Sequence, residues 1–190
     1  MHRIVVVAAA VLLLAGCAPE PVASPTASPT PSATPAALVL PTCNTLFTDA
    51  QVTELMGDNM QAMGDISPEG ATYGSTVPEL QSLIAAAPDE FNCSWIIPAS
   101  ERGLTLSIIP ADAATRAQVI DALAPATGTV DGSARFFDAT TADEMFPFNE
   151  ANAVGGPGVN LWISVHDSGT RALDITHAAW NSVVALNPGL

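Results

Sequence analysis

The chain has 190 residues and is strongly acidic: 19 aspartates and glutamates stand against five basic residues, all arginine, for a formal net charge of −14. Such a surface repels phosphate backbones, which argues against nucleic acid as a partner. Most of the carboxylates are expected to form a solvated face. Once the N-terminal segments are set aside, about 150 residues remain, the size of one domain.

The N-terminus has the pattern of an export signal. His2 and Arg3 precede an apolar run at residues 4–14 that is too short to span a bilayer. The sequence Leu-Ala-Gly-Cys at residues 14–17 is similar to the bacterial lipobox, whose cysteine receives a diacylglyceryl group before cleavage ahead of it. We therefore predict a lipoprotein signal peptide at residues 1–16 and lipidation of Cys17. The alternative is an ordinary secretory signal with an incidental cysteine.

Residues 17–37 form the next segment, in which the cysteine is followed by proline, serine, threonine and alanine. This composition buries too little apolar surface to fold and favours extended polyproline II, which indicates a stalk. The predicted location is extracytoplasmic, on the outer face of the cell membrane, with the diacylglyceryl group on Cys17 as the membrane contact.

Residues 38–190 are predicted to form a single globular domain with four helices. The first has a complete set of local signals: Thr48 and Gln51 form a capping box, Phe47 and Val52 a hydrophobic staple, and Gly57 ends the helix. Further helices are predicted at residues 78–87, 112–124 and 170–186 from apolar spacing, caps and prolines.

Strand patterns lie between these helices. Residues 92–97 and 104–109 predict a hairpin, and residues 159–166 predict a strand that pairs with a shorter one at 134–138. The sequence therefore predicts an α+β fold, with a four-stranded antiparallel sheet made of two hairpins and helices on one of its faces.

Two cysteines remain in the domain once Cys17 is lipidated. Beyond the membrane the cytosolic systems do not keep thiols reduced, so we predict a disulfide between Cys43 and Cys93. Two free buried thiols or a pair of zinc ligands are the alternatives.

Residues 41–57, "PTCNTLFTDAQVTELMG", followed later by "CSW", resemble a group of actinobacterial secreted lipoproteins of unknown function. The matching residues are Cys43, Leu46, Gly57, Cys93 and Trp95, and one departure is Thr42, which separates the usual Pro-Cys pair. The resemblance covers residues 41–109 and implies a place and a fold, but brings no catalytic residues.

Three side chains mark a candidate binding face. Strand alternation places Trp162, Ser164 and His166 on one side of a strand, opposite its apolar residues, and this side is exposed if nothing covers the sheet. On the last helix, Asp174 lies within reach of His177. Neither histidine has a nucleophile in a recognised motif, so we predict no catalytic residue. A cell-envelope hydrolase that uses His166 or His177 is the alternative.

The loop at residues 140–158 is the other predicted contact surface. Its acidic residues, with Asp138, could gather around calcium, but EF-hand spacing is absent and we predict no metal and no cofactor. The sequence as a whole predicts a lipid-anchored envelope lipoprotein whose domain binds a ligand or a protein partner without catalysis.

Overall fold

The computed structural model describes residues 38–67, 74–139 and 149–190. The predicted segments at 1–16 and 17–37, with Cys17, lie outside the described residues. The domain is a mixed α/β fold with a seven-stranded antiparallel sheet in the order β1-β2-β3-β7-β6-β5-β4. Its elements are α1 Asp49–Met56, β1 Gln61–Asp65, α2 Pro78–Ala86, β2 Phe91–Ile96, β3 Gly103–Pro110, α3 Ala113–Ala122, β4 Thr127–Asp131, β5 Ala134–Asp138, β6 Asn149–Gly155, β7 Leu161–Asp167 and α4 Ala172–Leu186.

All four predicted helices form, and their local signals act as expected. The Thr48 hydroxyl accepts the Gln51 N–H at 3.3 Å, and the Gln51 side-chain oxygen accepts the Thr48 N–H at 2.9 Å. Gly57 ends α1 with a φ of 97°, a left-handed backbone that favours glycine. Asp112 caps α3 through the N–H of Thr115, at 2.7 Å. Helix formation here follows from short-range chemistry.

The strand predictions were correct in class and incomplete in number. The predicted hairpin exists as β2 and β3. The direct pairing of residues 134–138 with 159–166 is wrong, because β6 lies between β5 and β7 and pairs with both. The sheet has seven strands rather than the predicted four or so. Strands β1, β4 and β6 were missed because they lack the apolar alternation that marks a strand.

The expectation of helices on one face of the sheet is also wrong. Helices α1 and α4 pack on one face and α2 and α3 on the other, so that neighbouring strand residues enter different cores: Ile108 packs with the first pair and Ile109 with the second. We call these the α1/α4 face and the α2/α3 face. Because both faces are covered, the central strands direct apolar residues to both sides of the sheet.

The disulfide prediction is confirmed. Cys43 and Cys93 are bridged, with their Cα atoms 5.5 Å apart, within the range that a disulfide requires. The bridge joins the start of the domain to β2 and lies in the core of the α1/α4 face. Among the described residues, no helix is long and apolar enough to cross a membrane.

Candidate functional site

Two rows of polar side chains cross the α2/α3 face on four adjacent strands. Each row consists of direct cross-strand partners on β2, β3, β7 and β6. The first, which we call the buried row, is Asn92, Ser107, Ser164 and Asn152, each at most 2% exposed. The second, the outer row, is Ser94, Thr105, His166 and Glu150. On these four strands, two successive rows of a covered sheet face are therefore polar, where apolar side chains usually pack.

Residues 74–77, which we call the strap, cover the buried row just before α2 begins. The Gly74 N–H donates to the Ser107 hydroxyl at 3.0 Å, and the Ser164 hydroxyl donates to the Gly74 carbonyl at 2.7 Å. The Ser107 hydroxyl also donates to the side-chain oxygen of Asn92, at 2.5 Å. The sheet thus supplies hydrogen bonds to a backbone that belongs to neither helix nor strand.

Glu150 holds the next part of the strap. Its carboxylate is fully buried and accepts the Ser75 hydroxyl at 2.6 Å and the Thr76 N–H at 2.8 Å. The Thr76 hydroxyl, at 3.1 Å, and the Asn152 amide, at 3.3 Å, complete its contacts. Hydrogen bonds from several donors offset the free-energy cost of burying a carboxylate. Glu150 therefore acts as a clasp that fixes the strap to β6.

The predicted exposure of Trp162 and Ser164 is wrong. Both side chains are fully buried, Trp162 in the core of the α2/α3 face and Ser164 beneath the strap. The Trp162 indole donates to the side-chain oxygen of Asn152 at 2.8 Å, so its polar atom is satisfied internally. Strand alternation placed these residues on the correct face, but it could not show that α2, α3 and the strap cover it.

His166 is the member of the predicted face that stays half-buried. It lies opposite Glu150 on β6 and Thr105 on β3. Burial lowers the pKa of His166 below its ordinary value of 6.5, while the charges of Glu150 and Asp167 oppose that shift. The imidazole is thus favoured in its neutral form, which donates from one nitrogen and accepts at the other.

His177 occupies a different environment, on the α1/α4 side of the sheet. Its ring stacks on Phe136 with centroids 3.7 Å apart. Its carboxylate neighbour is Asp131, at 3.9 Å from Nδ1, and the contact expected with Asp174 is replaced by a salt bridge from Arg171 to Asp174 at 2.9 Å. The two histidines therefore do not share a site.

A cavity of about 360 Å³ lies between the end of α1 and the start of α4. Its charged lining residues are Glu54, Arg102, Asp167 and Arg171. The Arg171 guanidinium already donates to Asp174 and, at 2.7 Å, to the Glu54 carbonyl. Asp167 accepts the Arg171 N–H at 3.3 Å. The cavity is therefore lined by charges of both signs, and two of the charged residues, Asp167 and Arg171, already form hydrogen bonds within the protein.

The predicted contact loop at residues 140–158 is only partly described. Residues 149–155 are not a loop but strand β6, almost wholly buried, so they offer no contact surface. Residues 140–148, which include the loop's other acidic residues, lie outside the described part of the chain. Within the described ranges, no group of three or more potential metal-binding side chains occurs, and Glu150 contacts the strap instead of joining Asp138 around calcium.

Sequence reasoning missed the residues that organise this face, above all Glu150, Asn152, Ser75 and Thr76. Glu150 and Asn152 alternate with Ala151 and Ala153 at the period of a strand, but the alternation is between polar and small residues and gives only a weak signal. The pattern was not recognised because both sets lack large apolar residues. The partners of Glu150, Ser75 and Thr76, lie 75 and 74 positions away in the sequence. Local patterns do not report contacts at that distance.

Comparison with protein-family models, curated proteins and solved structures finds no match to this chain. The resemblance to actinobacterial secreted lipoproteins therefore stays a prediction.

Proposed function

We propose that the chain is a lipid-anchored lipoprotein on the outer face of the cell membrane, and that its domain binds a polar envelope ligand or partner without catalysing a reaction. Cys17 is the anchor, residues 18–37 are the spacer, and the half-buried members of the outer row, Ser94, Thr105 and His166, are the contact surface.

The buried Cys43–Cys93 disulfide is the observation that carries this proposal. Both cysteines belong to the core, so the bridge is part of the folded domain rather than a surface accident. Structural disulfides form and persist in oxidising compartments. An extracytoplasmic location agrees with the lipobox-like residues 14–17.

The outer row is the part of the polar face that supports a binding role. In the buried row, Ser107 and Ser164 hydrogen-bond to the strap backbone and are fully buried. Ser94, Thr105 and His166 are half-buried, so part of each residue remains accessible to solvent. The Ser94 hydroxyl also donates to the Leu104 carbonyl at 3.2 Å. Hydroxyl and neutral imidazole groups donate and accept hydrogen bonds, which suits an uncharged polar ligand such as a saccharide or a peptide backbone.

The geometry of the serines supports a non-catalytic role. The Ser164 hydroxyl is fully buried and donates to the Gly74 carbonyl. The Ser168 hydroxyl exchanges hydrogen bonds with the backbone of Gly103, at 2.9 Å in both directions. A hydrolytic serine needs a base in reach of its hydroxyl and space for a reacting carbonyl. Both hydroxyls donate to backbone carbonyls rather than to a base, and Ser164 is also enclosed beneath the strap.

Cell fractionation of the full-length chain tests the anchor and the location. We expect wild type in the membrane fraction and in the detergent phase on phase separation, and Cys17→Ala either soluble or unprocessed. The matched control is the double variant Cys43→Ala/Cys93→Ala, which removes two cysteines and should stay membrane-bound. A Cys17→Ala protein that is fully processed and still membrane-bound would contradict lipidation, and a cytosolic wild type would contradict the location.

Thermal unfolding with a panel of soluble disaccharides, polyols and short peptides tests the contact surface. A ligand that binds only the native state raises the unfolding temperature. We expect Thr105→Val to lose that rise, because it deletes one hydroxyl of the outer row at nearly constant volume. The control, Thr129→Val on β4, should keep it. An equal rise in wild type and Thr105→Val would place the ligand elsewhere.

A further inference from the structure

The two edges of the sheet are protected to different degrees. At one edge, β1 contains an irregularity between Ala62 and Gly64, and Gly64 has a φ of 86°. Such a bulge twists an edge away from other strands and prevents further pairing. At the other edge, β4 pairs with β5 in unbroken register from Thr127 to Asp131. It contains no proline and no bulge, two of the common devices that protect an edge strand from further pairing.

The register of β4 determines which of its backbone N–H and C=O groups point away from β5. A two-residue turn, Gly132 and Ser133, joins β4 to β5 at the pair Asp131 and Ala134. Pairs in an antiparallel ladder alternate between hydrogen-bonded and non-bonded, and the turn closes on a bonded pair. Gly128 and Val130 therefore direct their N–H and C=O groups away from β5. Within the described residues, β4 is the last strand of the sheet on this side.

An apolar side-chain site adjoins the same edge. Val130 is 73% exposed, the highest value among the exposed large hydrophobic residues of the described chain. It borders a cavity of about 310 Å³ whose apolar lining includes Ile120, Val154, Pro157 and Val159. Strand-addition sites combine backbone pairing, which gives affinity, with pockets for alternate side chains, which give specificity. Both parts are present at β4.

We propose that β4 binds an extended segment of a basic partner protein, which adds an eighth strand to the sheet by antiparallel or parallel pairing. The segment alternates apolar and basic side chains. Its apolar residues pack beside Val130 and the adjoining cavity, on the α2/α3 face. Its basic residues lie on the opposite face, near Asp131, which is 70% exposed in its side chain.

Charge decides between this occupant and a second copy of the chain. Each copy carries a formal net charge of −14, so two copies repel one another while a basic segment is attracted. This surface is separate from the outer row, and the inference does not depend on the lipid anchor or on the proposed ligand site.

The probe is a fluorescent peptide of alternating lysine and valine, titrated into the oxidised full chain in detergent solution and followed by fluorescence anisotropy. We expect saturable binding, and protection from hydrogen exchange confined to β4. Val130→Pro removes one outward N–H without touching the β5 ladder and should weaken binding at least tenfold. Val130→Lys provides a second block that does not alter the backbone. Met63→Lys, on the protected edge, is the matched control and should bind as wild type.

Several results would overturn the proposal. They are equal binding by wild type, Val130→Pro and Val130→Lys, protection that maps outside β4, or equally tight binding of a peptide with glutamate in place of lysine. Sedimentation showing a wild-type dimer that Val130→Lys dissolves would assign the edge to a second copy and overturn the basic-partner proposal. A lysine–proline peptide, which cannot form a strand, should not bind; binding of that peptide would show charge attraction without pairing.

Discussion

Removing the charge of Glu150 should release the strap and destabilise the domain. In Glu150→Gln one side-chain oxygen remains, and the other becomes an amide that cannot accept hydrogen bonds. The Ser75 hydroxyl or the Thr76 N–H and hydroxyl then lose their acceptor, depending on the orientation of the amide. A buried donor left without an acceptor costs about 1–3 kcal/mol. We expect a loss of about 3 kcal/mol, or about 6–12 °C in melting temperature for a domain of this size.

Urea denaturation gives the free energy of unfolding, and hydrogen exchange of the Thr76 amide reports on the strap itself. The matched control is Glu79→Gln, which neutralises an exposed carboxylate at the start of α2 and should change stability by less than about 0.5 kcal/mol. Equal midpoints for Glu150→Gln and Glu79→Gln would refute the clasp. Unchanged exchange of the Thr76 amide despite global destabilisation would show that the carboxylate does not hold the strap.

Two other predictions concern the bridge and the half-buried imidazole. Cys43→Ser/Cys93→Ser opens a loop with a sequence separation of 50 and should cost about 4 kcal/mol on the chain-entropy model; alkylation of both cysteines in unreduced wild type would contradict the bridge. His166 has a pKa lowered mainly by burial, so its contribution to stability is complete above about pH 6.5 and is lost as pH falls toward the lowered pKa. Between about pH 7.5 and pH 5, wild type should therefore lose more stability than His166→Gln, as measured by urea midpoints. Parallel pH profiles for the two proteins would contradict a lowered pKa of His166 in the folded state.

The helices were predictable because their signals are local. Thr48 and Gln51 lie three residues apart and Gly57 directly follows the helix, so the chain segment that forms α1 also contains the information that starts and ends it. The bridge was predictable for a different reason: with Cys17 assigned to lipid, Cys43 and Cys93 had only each other as partners.

Strand β6 and its site were not predictable in the same way. Its residues on the α1/α4 face are small, such as Ala151 and Ala153, and those on the α2/α3 face begin with Glu150 and Asn152. Periodicity identifies a strand by contrast between large apolar and polar side chains. That contrast is absent here because the polar residues are buried by distant partners, and no local pattern reports a partner on the strap.

Gly74 explains why the sheet is polar beneath the strap. A Cβ at this position would collide with the carbonyl oxygen of Ser164 and lie 2.9 Å from the N of Ser107, so the strap backbone lies directly on the sheet. A backbone that close, outside any helix or strand, requires hydrogen-bond partners from side chains. Ser107 and Ser164 supply them. Ser107 and Ser164 are therefore polar because the strap backbone lies on them. Asn92 and Asn152 instead accept hydrogen bonds within the sheet, from the Ser107 hydroxyl and the Trp162 indole.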